Sequence, residues 1–115
     1  QRRIARMYQV KAGLAICAIS QGQLNEARDI ALETWNYLKE NGWIGMSVPG
    51  RVYRSLAETF DALNDAENSQ AVIESAHQAL LEMAGNLTMP EWRQSFLENV
   101  PDNRALIDMW ERRKR

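Results

Sequence analysis

The feature that most constrains the fold of this chain is its similarity to itself at an offset of 42 residues. Apolar and small residues recur at matching positions of two segments, and each segment holds two stretches of helical spacing around a polar turn. The matched pairs are Leu14 with Leu56, Ala15 with Ala57, Ala18 with Phe60, Gly22 with Asn64, Ile30 with Val72 and Leu38 with Leu80. A single helix–turn–helix unit cannot bury its apolar face alone, so the offset predicts helical hairpins that stack on one another.

Helical periodicity continues to the end of the chain, and no segment alternates apolar and polar residues as a β-strand would. Gly22 and Gly42 are predicted to end helices, Asp65 to cap the start of one, and residues 88–91 (Thr-Met-Pro-Glu) to form a capping box. We therefore expect an all-α fold, an α-α superhelix in one domain. The predicted ranges are 1–115 for the domain, about 4–41 for repeat 1, about 47–86 for repeat 2 and about 88–113 for a C-terminal cap.

The stretch SFLENVPDNRALIDMW, residues 95–110, is predicted to close the stack. Its apolar side chains would cover the fourth helix where a further repeat would otherwise lie, since an uncovered last repeat exposes apolar surface. Arg104 is expected to bond carbonyls or a carboxylate beneath it. The covering residues are predicted to be Phe96, Leu97, Ile107 and Trp110.

The second repeat and the closing segment together resemble the C-terminal end of a group of bacterial multidomain signal-transduction ATPases and transcriptional activators with tetratricopeptide-like tails. The resemblance covers residues 50–111, and it implies a sensor or interaction array belonging to a larger signalling or transcription-regulatory protein. The motif residues are Arg93, Ser95, Phe96, Leu97, Val100, Pro101, Asn103 and Arg104.

Composition narrows the class of partner. With 14 basic and 15 acidic residues the net charge is −1, so no global field attracts nucleic acid or an anionic membrane. The single cysteine, Cys17, fits a reducing cytosol, and no apolar run reaches the roughly 18 residues of a membrane span. We expect a cytoplasmic location, and Gln1 in place of an initiator Met suggests a piece of a longer protein.

No residue set in the sequence indicates catalysis, a metal or a cofactor. His77 has no second histidine or cysteine near it and is predicted to have a structural role. Cys17 lies between apolar neighbours and is predicted to be a buried, inert thiol. The carboxylates follow solvated helix faces, and no glycine-rich phosphate loop is present. Three of the four tryptophans, Trp35, Trp92 and Trp110, lie on helix stripes and are predicted to pack in the core. The basic tail, residues 112–115, is predicted to complement the last helix dipole. We therefore expect no enzyme activity.

Two hypotheses about function remain. The first is a helical-repeat module that binds a protein or peptide, or neighbouring domains of its parent chain. The first helix is apolar almost all round, so the isolated fragment is expected to cover it by self-association. The second is a sensor domain whose inter-helix groove takes a small-molecule effector.

The resemblance also implies where a partner would bind, because the first helix of each tetratricopeptide hairpin lines the concave face. That face would be half apolar and half charged, as in a groove with a hydrophobic anchor and a polar clamp. Alternatively, its isoleucines meet an upstream repeat and its charges form an ordinary i,i+4 ladder. The predicted concave-face residues are Gln9, Ala12, Ile16 and Ile19 from repeat 1, and Arg51, Arg54, Glu58 and Asp61 from repeat 2.

Overall fold

The computed structural model of this chain describes residues 2–114, and over those residues it consists of six α-helices and no β-strand. The helices are α1 (Arg2–Ser20), α2 (Leu24–Asn41), α3 (Pro49–Ala62), α4 (Ala66–Gly85), α5 (Pro90–Glu98) and α6 (Pro101–Lys114). The prediction of an all-α fold is confirmed.

Two turns, α1–α2 and α3–α4, have the same backbone conformation. Gly22 has φ 76° and Asn64, 42 positions later, has φ 59°, so both lie in the left-handed region that ends helices. The backbone N–H of the next residue donates in each turn to the carbonyl five positions back. These bonds join Gln23 N to Ala18 O and Asp65 N to Phe60 O, both at 2.9 Å.

The helices pack as consecutive pairs, with α1 against α2 and α3 against α4. The third helix is the centre of the molecule, because it also contacts α1, α2 and α6. Complete burial of one large apolar side chain contributes about 1.5–3 kcal/mol, so most of the stability resides around α3 and α4. The largest fully buried apolar side chains are Val52, Leu56, Phe60, Val72, Ile73, Leu80 and Leu106.

The C-terminal helices lie where the sequence predicted a cap, since α5 contacts α4 and α6 contacts both α3 and α4. The predicted covering residues pack against the core, but each is only half-buried. The buried side chains of this region are instead Leu106 and Met109 on α6, and α5 buries none completely. Trp110 stacks on His77 of α4 with 3.6 Å between ring centroids.

Asn103 positions α6 through a side-chain hydrogen bond to α5, a role that the sequence did not predict. Its buried Nδ2 donates to the carbonyl of Phe96 at 3.0 Å, and its Oδ1 lies so close to Gly50 that a Cβ there would clash. Glycine at position 50 therefore permits the close approach of α6 to the start of α3. Arg104 was expected to bond carbonyls or a carboxylate beneath it. Its Nε lies 3.3 Å from Oδ1 of Asp108, so the two residues form an ion pair on the exposed face of their own helix.

The predicted helix caps have mixed outcomes. Asp65 caps α4 as expected, with its carboxylate accepting from the backbone N–H of Asn68 at 3.1 Å. The capping box was wrong. Helix α5 begins at Pro90 with Met89 as the capping residue and no side-chain hydrogen bond, so Thr88 lies one position too early.

Candidate functional site

The repeat 1 half of the predicted concave face lies on α1, and one of its residues, Gln9, bonds α1 to the residues that precede α3. Gln9 accepts from the backbone N–H groups of Ser47 at 2.9 Å and Val48 at 3.0 Å, and it donates to the Ser47 hydroxyl. Those two residues precede α3, which has no capping side chain of its own. Ala12 is buried, and the two isoleucines, Ile16 and Ile19, are half-buried.

The repeat 2 half lies on α3 and is bound to α6 by ion pairs. The carboxylate of Asp102 forms ion pairs with Arg54 at 3.2 Å and with the exposed Arg51 at 3.6 Å. Arg54 also forms an ion pair with Glu58 at 3.2 Å. Partial burial works to lower the pKa of Arg54, but its hydrogen bonds to Glu58 and Asp102 outweigh that effect and raise it. These charges therefore join α3 to α6.

Asp61, the last predicted concave-face residue, is engaged by the C-terminal end of α6. Arg113 Nη2 lies 2.8 Å from Asp61 Oδ1 and donates to the Ser69 hydroxyl at 3.0 Å. The buried Ser69 in turn donates to Asp61 at 2.5 Å. The basic tail thus contacts a carboxylate of another helix; Arg115 and the side chain of Lys114 lie outside the described residues. All eight predicted concave-face residues stay a prediction as a binding site.

A second candidate surface lies on α1, the helix that was expected to need covering, although the sequence did not predict which of its residues form that surface. The side of α1 that faces away from the molecule carries a stripe of exposed residues at helical spacing, which we call the outward face of α1. Contiguous exposed apolar surface of this kind commonly marks an interaction site. The outward face consists of Ile4, Met7, Val10, Leu14 and Cys17.

The distribution of side chains on α1 is the reverse of that on an ordinary surface helix. Its buried residues are the four alanines Ala5, Ala12, Ala15 and Ala18. Alanine buries little area, so the larger apolar side chains of the helix are the ones left in water. The signal was available in the sequence as the all-round apolar character of this helix, but the spacing alone did not say which side would stay open.

Two residue predictions are corrected by the structure. Cys17 was expected to be buried and is exposed, because it lies on the outward face of α1. Trp92 was expected in the core and is 58% exposed on α5. Trp35 is buried as expected.

The described residues offer no arrangement of ligands for a metal. Within residues 2–114, no group of three or more His, Cys, Asp or Glu side chains is placed to hold an ion. None of the helices over the same residues has the length and apolar character needed to cross a membrane. Comparison with family models, curated proteins and solved structures finds no match for this chain.

Proposed function

We propose that this chain is a non-catalytic helical-repeat module that binds protein, and that the outward face of α1 is where a helical partner packs. One observation carries the proposal. Val10 and Leu14 are 62% and 50% exposed, whereas Val52 and Leu56, the same residue types 42 positions later on α3, are 1% and 0% exposed. The same pattern is thus covered in one copy and open in the other.

The neighbours of α3 indicate what kind of partner would cover α1. Helix α4 is the hairpin partner of α3, as α2 is of α1, and α6 follows α3 as α3 follows α1. The remaining neighbours of α3 are α1 and α2, and among the described residues α1 has no corresponding pair. We infer that the outward face takes a pair of helices packed as α1 and α2 pack on α3.

The common geometry of the two turns supports a stacked repeat. A helical pair that recurs with the same turn presents the same faces, so each pair can cover the next in one direction. A right-handed superhelical stack of two such pairs, closed by α5 and α6, is the arrangement that we propose.

A duplication of the chain's own helices tests this directly. Residues 7–48 are inserted a second time between positions 48 and 49, which preserves the 42-residue offset. With Cys17 replaced by Ser in the first copy, the thiol of the inserted copy should react with a maleimide much more slowly than Cys17 of the original chain, because the first helical pair covers it.

The matched control places the serine in the inserted copy and keeps the first cysteine, which should stay reactive. Circular dichroism checks that both duplicated chains gain helix. Equal thiol reactivity in the two folded chains would rule out stacking on the outward face.

The larger context follows from the resemblance described above. We propose that the module belongs to a cytoplasmic signalling or transcription-regulatory protein of bacterial type, with a neighbouring domain of the parent chain as the natural partner of α1. Pull-down of the remaining parent domains by this chain, compared with its Leu14→Lys variant, measures that interaction. Capture that is unaffected by the substitution would place the interaction elsewhere.

A further inference from the structure

A shallow groove lies between α2 and α4, and none of its lining residues belongs to the outward face of α1. Its volume is about 560 Å³, and we call it the aromatic groove. Trp35 and Trp43 line it on the side of α2 and the loop that follows, and Tyr53 of α3 lies beneath. Trp35 and Tyr53 are buried except for small areas, so the floor is rigid and aromatic.

The opposite wall is a row of hydrogen-bond acceptors on α4. Glu74, Gln78 and Glu82 are exposed and line the groove at i, i+4 and i+8, so they share one helix face over about 12 Å. Glu74 accepts a hydrogen bond from Gln70 at 3.0 Å. Over residues 2–114 neither carboxylate forms an ion pair. The wall is thus negatively charged, and no ion pair among the described residues neutralises it.

The chain already places one cation in this groove. Lys39 Nζ lies over the ring of Trp35, 5.6 Å from its centroid, and the described part of the chain gives this ammonium no carboxylate partner. The face of an indole attracts cations through its quadrupole. The groove therefore combines an indole face that already holds a cation with carboxylates on the opposite wall.

Tyr53 keeps the floor uncharged. Burial raises the pKa of its hydroxyl, the hydrogen bond with Ser75 opposes that rise, and the negative charge of Glu82 adds to it. The phenol therefore stays neutral at physiological pH. Its ring extends the apolar floor beneath the carboxylate wall.

We propose that the aromatic groove binds an arginine side chain of a partner polypeptide. A guanidinium is planar and weakly hydrated, so it can stack on Trp35 in the place of Lys39. Its five N–H donors suit a row of acceptors, which a lysine ammonium would engage only at one point. The groove is open along its length, which fits a side chain of an extended segment rather than an enclosed small molecule.

The probe is a blocked five-residue peptide with one central arginine, paired with the same peptide carrying citrulline, which keeps the shape and removes the charge. Titration is followed by the indole N–H resonances of the full chain. The arginine peptide should shift the indole N–H resonances of Trp35 and Trp43 and leave that of Trp92, on α5, unchanged. The citrulline peptide should bind more weakly. Equal shifts by both peptides, or no shift of Trp35 and Trp43 at millimolar peptide, would overturn the proposal.

Charge variants test the two walls. The double variant Glu74→Gln with Glu82→Gln should weaken arginine-peptide binding roughly three- to ten-fold, since each lost pair is partly exposed. Glu67→Gln, on α4 but outside the groove, is the matched control and should bind as the original chain does.

Lys39→Met removes the resident cation and should tighten binding about two- to five-fold. Unchanged affinity in the double variant, or weaker binding in Lys39→Met, would overturn the proposal. The groove shares no residue with the outward face of α1, so its outcome does not depend on the function proposed there.

Discussion

Helices α1 and α3 have closely related apolar patterns, but the matching side chains are buried on α3 and exposed on α1. On α3, Val52 and Leu56 lie in the core among four neighbouring helices. On α1, Val10 and Leu14 occupy the matching positions and face water. The comparison shows that the burial of a residue in this all-helical chain depends on the helices beside it as much as on its own helix. Helix α1 has the apolar pattern of α3 but fewer neighbouring helices among the described residues, so its large apolar side chains stay exposed.

The largest expected effect on the free energy of unfolding is found by truncating the matched leucines of α1 and α3, each in its own variant. Leu56→Ala should lower the free energy of unfolding by about 2–5 kcal/mol, because it leaves a cavity in a closed core. Leu14→Ala should change it by less than about 0.5 kcal/mol, since the leucine is half exposed. Urea denaturation of the two variants measures the difference. Similar losses would mean that Leu14 is covered in solution.

A smaller effect is expected from loosening the cover of α3 on its C-terminal side. Asn103→Ala leaves the carbonyl of Phe96 without its donor and should cost about 1–3 kcal/mol. Asn99→Ala is the matched control, because its bond to Ser95 is exposed and should contribute little. Thermal or urea unfolding compares them, and equal losses would contradict the fastening role of Asn103.

The two hairpin turns provide a third comparison, between positions 23 and 65. Asp65 caps α4 through its side chain, whereas Gln23 makes no capping hydrogen bond at α2. Asp65→Ala should therefore cost about 1 kcal/mol and Gln23→Ala close to nothing. A loss at position 23 as large as that at position 65 would show that the two turns are equivalent in energy as well as in conformation.

The smallest effect on stability, with the clearest effect on assembly, is expected for Leu14→Lys. The substitution should leave the free energy of unfolding within about 0.5 kcal/mol and abolish self-association of the isolated chain, because a charge on the outward face opposes its burial. Sedimentation velocity over a range of concentrations measures this. A monodisperse monomer at high concentration of the unsubstituted chain would show that the open face does not associate with itself.

The local structure of the chain was largely predictable. The turn positions of Gly22 and Asn64, the end of α2 at Gly42 and the cap at Asp65 follow from backbone freedom and side-chain geometry within a few residues. The start of α5 was misplaced by one residue, because Thr88 and Met89 compete for the capping position and no local rule decides between them.

The candidate sites were harder to predict, because they depend on contacts between distant segments. Gln9 and Asp61 were predicted as groove residues from their own helices, and the sequence did not show that Gln9 bonds the start of α3 or that Asp61 pairs with Arg113 of α6. The aromatic groove joins Trp43 of a loop to Glu82 of α4, and no sequence pattern links residues so far apart. Asn103 similarly gains its role only because Gly50 lies against it.

The sequence by itself determined that this chain is helical, where its first four helices turn, and that two helical pairs recur at an offset of 42 residues. These properties arise from 3.6-residue periodicity and from left-handed turn residues, both of which act within a few positions. The tertiary structure alone decided which side of each helix is covered. Leu14 and Leu56 have the same side chain and the same place in their pattern, and their difference in exposure is set by the helices packed beside them.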